Sequence, residues 1–156
     1  MRVQRVPPTH IGKVASTIYR VALDVAFRRT GALFVILRSE NHLREIVLKG
    51  DAIYDSNRHK VDTAFDEALP GKSILSLSRT ILVELSSLDG AVVLNNRGKL
   101  LAYGAVLNPK KKGKTAATEG SRTKAAIGAS NYGISVKISS DGDITVFHKG
   151  KEFLRI

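Results

Sequence analysis

Residues Ala32-Leu33-Phe34-Val35-Ile36-Leu37 form an unbroken apolar run, with Thr30-Gly31 before it and Arg38-Ser39 after it. The run is far shorter than the roughly 20 residues a membrane-spanning helix needs, and it reads as a buried strand. Just upstream, Lys13 to Arg29 places Val14, Ile18, Val21, Ala22, Val25 and Ala26 at intervals of three and four, the spacing of an amphipathic helix. Gly31, after the basic Arg28-Arg29, suits that helix's C-terminus.

The rest of the chain alternates helix and strand signals. Asn57 to Gly71 is polar and ends in Pro70-Gly71, predicting a long connection with a short helical turn at Thr63 to Ala68. Ser73 to Leu88 carries Ile74, Leu77, Ile81, Leu82 and Leu85 at helical spacing; Asp89-Gly90 then turns the chain into a strand over Ala91 to Leu94. Asn95-Asn96-Arg97-Gly98 predicts a hairpin returning along Lys99 to Leu107. Lys110 to Gly120 has no apolar face and is expected to be a mobile loop, followed by a short helix over Ser121 to Tyr132. Ile134 to Ile138 and Ile144 to Phe147 alternate around Asp141-Gly142-Asp143, a second hairpin. The fold class is therefore α/β (α+β), with residues 1–156 as one domain and 1–12 as an N-terminal extension.

The absence of cysteine excludes disulfides and thiolate metal sites. No apolar stretch follows the basic N-terminus, so neither a signal peptide nor a membrane association is expected, and the location expected is cytoplasmic. The net charge of +11 calls for an anionic partner. Residues 97 to 124 concentrate it, with eight Lys or Arg against the single acid Glu119.

Three features could carry chemistry. Asp89-Gly90-Ala91 puts a carboxylate at the edge of a strand, where it could accept a proton or hold a metal, but Asp-Gly is also an ordinary turn. Gly120-Ser121-Arg122-Thr123-Lys124 gathers two hydroxyls, a guanidinium and an ammonium where a helix begins. There, free amides and the helix dipole favour phosphate, and Arg can grip it bidentately; the alternative is a Ser N-cap with two solvated cations. Lys110-Lys111-Lys112-Gly113-Lys114 reads as a solvated loop or as a salt-sensitive nucleic-acid contact, although no aromatic residue interleaves with the lysines to stack bases. His10, His42, His59 and His148 lack metal-pair spacing.

In order and spacing, the helix, Gly31-Ala32-Leu33-Phe34-Val35-Ile36, Leu88-Asp89-Gly90-Ala91-Val92-Val93 and Gly120-Ser121-Arg122-Thr123-Lys124-Ala125-Ala126 resemble the diadenylate cyclase domain, from about Ile18 to the C-terminus. The resemblance implies a mixed central sheet flanked by helices, and a reaction joining two ATP into cyclic di-AMP where two domains meet face to face. It gives Asp89 a place near the attacking ribose 3′-hydroxyl, Gly90 and Ala91 a backbone role beside the nucleotide, and Arg122 and Lys124 phosphate contacts. Gly120, Ser121, Thr123, Ser130 and Asn131 complete the implied nucleotide-binding set, with Mg or Mn as cofactor if catalysis occurs.

The chain also departs from that family's pattern. Thr-Arg-His-Arg reads here Ser121-Arg122-Thr123-Lys124, the Ser-Glu pair reads Ser130-Asn131, and Pro-Leu-His before Asp89 reads Ser86-Ser87-Leu88. Losing the histidine and the glutamate removes groups that orient metal and leaving group, whereas a basic helix start still attracts phosphate. The expectation is a sensor-like domain binding ATP or a cyclic dinucleotide. The alternatives are an active diadenylate cyclase and a nonspecific nucleic-acid binder. Because the sequence stops soon after the last predicted strand, self-association and a separate effector protein are expected to carry any signal.

Overall fold

The computed structural model describes residues 7–47, 53–54, 69 and 71–156. The expected helical turn at Thr63 to Ala68 lies outside the described residues. The elements are α1 (Pro8–Arg28), β1 (Ala32–Leu37), α2 (Leu43–Ile46), β2 (Ile53–Tyr54), α3 (Arg79–Ser87), β3 (Ala91–Asn95), β4 (Leu100–Ala105), α4 (Ser121–Ala129), β5 (Gly133–Ile138), β6 (Ile144–His148) and β7 (Lys151–Arg155). The strands form one sheet in the order β2-β4-β3-β1-β5-β6-β7. Among the described residues only β1 and β3 run parallel; every other neighbouring pair is antiparallel, so the sheet is mixed.

The apolar run of β1 lies near the middle of this sheet and is covered on both faces. Ala32 and Phe34 pack with Val14, Ile18, Val21 and Val25 of α1 and with Leu82 and Leu85 of α3. Leu33, Val35 and Leu37 pack with Ile46 of α2 and with Ala126, Ile127 and Ala129 of α4. A strand buried on both faces has no wet side, hence six apolar residues in succession.

α1 starts at Pro8, earlier than Lys13, so residues 8–12 of the expected extension are helical. Proline at the first helical position has no amide hydrogen to waste and its φ already suits a helix. The helix ends on Arg29, which takes the left-handed conformation (φ 56°) while Thr30 N–H donates to the Val25 carbonyl. Gly31 is not the cap. The expected helix over Ser73 to Leu88 is split: a short 3-10 turn spans Ile74–Ser76, and α3 begins only after Ser78, whose hydroxyl accepts from Ile81 N–H at 3.3 Å. Serine side chains that satisfy amides locally favour such interruptions.

The hairpin of β3 and β4 turns on Asn95, whose Oδ1 accepts from the amides of Arg97 and Lys99, both at 2.9 Å. Beyond the β5–β6 hairpin comes an unpredicted strand, β7, reached through Lys149 (φ 51°) and Gly150 (φ 74°). Two successive positive φ values twist a two-residue turn to match its strands. The expected mobile loop is docked instead: Lys111 N–H donates to the Tyr132 hydroxyl at 3.0 Å, and Pro109 lies against Gly128, where a β-carbon would meet it.

Candidate functional site

Topology decides which side chains meet. β1 and β3 are parallel, so both begin at the same edge of the sheet, and their antiparallel neighbours β5 and β4 end there. At that edge Leu33, Asp89, Gly90, Ala105, Val106, Leu107, Ser121, Arg122 and Ala125 line a cleft of about 320 Å³. The Asp89 turn and the start of α4, 32 positions apart in the chain, thus share one opening.

Asp89 is exposed, and its Oδ1 accepts from its neighbour Gly90 N–H at 3.1 Å. Gly90 has φ 103°, and a β-carbon there would stand 2.7 Å from Ala105 N and 2.9 Å from Ala105 C. Only glycine allows both that conformation and that approach of the turn to β4. Ala91 begins β3, is buried under the α4 side of the sheet, and does not line the cleft.

α4 starts without a side-chain cap: the capping position is Gly120, Ser121 is already helical, and the first turn holds no acid. The reading of Ser121 as an N-cap does not hold, and the opening turn keeps its free amides and partial positive charge. Arg122 reaches over Gly31, where a β-carbon would stand 3.0 Å from Arg122 Cζ and 3.3 Å from the Ile138 carbonyl oxygen. Among the described residues no hydrogen bond or ion pair engages the guanidinium.

The remaining candidates are placed otherwise. Lys124 does not line the cleft; its Nζ donates to the Ala117 carbonyl at 3.4 Å, within the preceding loop. Thr123 Oγ1 accepts from Lys137 Nζ at 3.1 Å. Ser130 and Asn131 follow α4 where β5 begins, at the opposite edge of the sheet. The buried Ser130 hydroxyl donates to the Ile127 carbonyl at 2.6 Å and accepts from Gly150 N–H at 2.9 Å, tying α4 to the β6–β7 turn. Asn131 Nδ2 donates to the Gly128 carbonyl at 3.0 Å and closes the helix end. The structure does not bring these two residues to the cleft.

The loop lysines have local partners. Lys112 Nζ donates to Asn108 Oδ1 at 2.8 Å, and Lys111 Nζ lies 5.5 Å from the centre of the Tyr132 ring. His42 holds Glu45 at 2.8 Å, and this hydrogen bond keeps the Glu45 carboxyl below its ordinary range. No group of three His, Cys, Asp or Glu among the described residues could hold a metal ion. No helix among them is long and apolar enough to cross a membrane. Sequence reasoning missed Leu33, Ala105, Val106, Leu107 and Ala125 as cleft residues, and Gly31 as the seat of Arg122. These are small or apolar residues whose role comes from neighbours distant in the chain.

The fold is similar to that of a hypothetical membrane spanning protein from Bacillus cereus, with a TM-score of 0.62 and 22% identity over 89% of this chain. The chain spans 61% of the length of that protein. It is also similar to a double mutant of DacA from Staphylococcus aureus, with a TM-score of 0.55, 23% identity, and coverage of 91% of this chain and 85% of that one. At these identities the likeness establishes the fold. Among curated proteins no relative matches. A family model described as DAC, DisA bacterial checkpoint controller nucleotide-binding, matches residues 21–152. This match takes in the cleft and nearly all of the sheet, and the chain belongs to the DAC family of DisA-type nucleotide-binding domains.

Proposed function

We propose that this protein is a sensor-like nucleotide-binding domain that holds ATP or a cyclic dinucleotide in the cleft between the Asp89 turn and the start of α4. One observation carries the reading: the Arg122 guanidinium, unpaired among the described residues, and an uncapped helix start face the same cleft as Asp89 and Gly90. A phosphate there would meet free amides and a bidentate donor. Two departures from the family's motif favour binding over turnover, because the substituted groups are engaged within the fold. Thr123 accepts from Lys137, and Asn131 closes the end of α4. A magnesium or manganese ion fits only if Asp89 shares it with a bound triphosphate, which is how magnesium is commonly held.

Calorimetric titration with ATP, cyclic di-AMP and other cyclic dinucleotides tests the proposal. Binding of at least one of them, weakened by Arg122→Ala, is expected. Failure of all to bind would refute it.

A second reading, an active diadenylate cyclase working as a pair of copies, is favoured by the exposure of Asp89 at the cleft mouth. Leu88 and Val106 are also exposed there and would be covered by a second copy. Incubation with ATP and Mg²⁺ or Mn²⁺ tests this reading: formation of cyclic di-AMP that is abolished by Asp89→Asn supports it, and absence of product excludes it.

A further inference from the structure

We propose that Lys137, on β5, is a second phosphate-binding cation that acts beside Arg122 from the margin of the cleft, whose lining it does not itself join; the inference rests on the nucleotide-binding reading above. Lys137 is the last residue but one of β5, so it lies at the edge where the cleft opens. Its register partners are Leu33, which lines the cleft, and Thr145. Its ammonium crosses to α4 and donates to Thr123 Oγ1 at 3.1 Å, one residue from Arg122. The neighbouring Ile138 carbonyl lies beside Gly31, the residue over which the Arg122 guanidinium is seated.

The ammonium is poorly compensated in this position. Among the described residues no carboxylate lies within ion-pair distance of Lys137, and Glu152 on β7 is held by Arg155 at 2.6 Å. A neutral hydroxyl occupies one of its three N–H donors, leaving two for a ligand. Two cations next to an uncapped helix start repel each other and the helix dipole, and an anion between them relieves both repulsions.

Titration of the wild type, Lys137→Met, Lys137→Arg and Thr123→Val with ATP and with inorganic tripolyphosphate tests the proposal, with thermal melting run alongside. Lys137→Met is expected to weaken both ligands about tenfold or more, the loss expected for a charged hydrogen bond. Lys137→Arg should retain most of the affinity. Thr123→Val, which frees the ammonium from its hydroxyl, should bind at least as tightly as the wild type. If the hydrogen bond merely ties β5 to α4, Lys137→Met and Thr123→Val will melt alike and both will bind ATP as the wild type does. That result overturns the inference.

The two readings also fail separately. ATP binding that depends on Arg122 but not on Lys137 leaves the nucleotide proposal standing and removes this one. Lys137-dependent binding of tripolyphosphate with no nucleotide binding does the reverse. A wild type that binds neither ligand overturns both.

Discussion

Replacing Gly31 with alanine should separate ligand binding from stability. The residue has no left-handed φ, so alanine is compatible with the backbone. Its added methyl, however, would stand 3.0 Å from Arg122 Cζ and 3.3 Å from the Ile138 carbonyl oxygen. The carbonyl has to yield only a few tenths of an ångström. The guanidinium is the far end of a flexible side chain and moves off its seat into solvent. A compatible Gly→Ala change gains about 0.4–1 kcal/mol from the unfolded chain, which offsets the crowding. Stability should therefore stay within about 1 kcal/mol of wild type, a shift of about 2–4 °C in Tm for a chain of this size. Phosphate binding should lose the charged hydrogen bonds of Arg122, about 1.5–3 kcal/mol, or about 10- to 150-fold in Kd. Calorimetry on the wild type, Gly31→Ala, Arg122→Ala and the double variant measures the coupling between the two residues. The effect of Gly31→Ala should vanish when Arg122 is already gone. An undiminished effect in the double variant, or wild-type affinity in Gly31→Ala, would show that Gly31 does not act through Arg122.

Three further outcomes are expected. Gly90→Ala forces a side chain into a φ of 103° and against the Ala105 backbone, and should cost about 2–4 kcal/mol in denaturant unfolding; a loss below 1 would contradict the close approach. Ser130→Ala orphans the Gly150 amide and should cost about 1–3 kcal/mol while leaving nucleotide affinity unchanged, because the residue sits at the far edge of the sheet; weakened binding would return Ser130 to the site. The Arg79 guanidinium, hydrogen-bonded to Asp24, holds that carboxyl below its ordinary value. A lowered folded value stabilises the protein above the unfolded value, so the advantage of wild type over Asp24→Asn should be present at neutral pH and disappear as acid protonates Asp24. Melting curves between pH 7 and pH 2 that run parallel for the two proteins would contradict this.

What the sequence determines by itself is local. The spacing of Val14, Ile18, Val21 and Val25 makes α1, the run from Ala32 to Leu37 makes β1, and Asn95 to Gly98 and Asp141 to Asp143 reverse the chain. These signals are legible because helical faces, strand alternation and turns depend on residues a few positions apart. The sequence pattern around Asp89 and Arg122 also marks the family, but it says nothing of the distance between them.

Tertiary structure decides the rest. It splits the helix expected at Ser73, adds β7, folds the basic loop onto Tyr132, and leaves the start of α4 without a side-chain cap. It turns Gly31 from a helix terminator into the seat of Arg122, sends Ser130 and Asn131 to the opposite edge of the sheet, and brings Lys137 to Thr123. The cleft exists because β1 and β3 run parallel between antiparallel neighbours. That order is set by how two helical layers cover one sheet, and no short stretch of residues contains it.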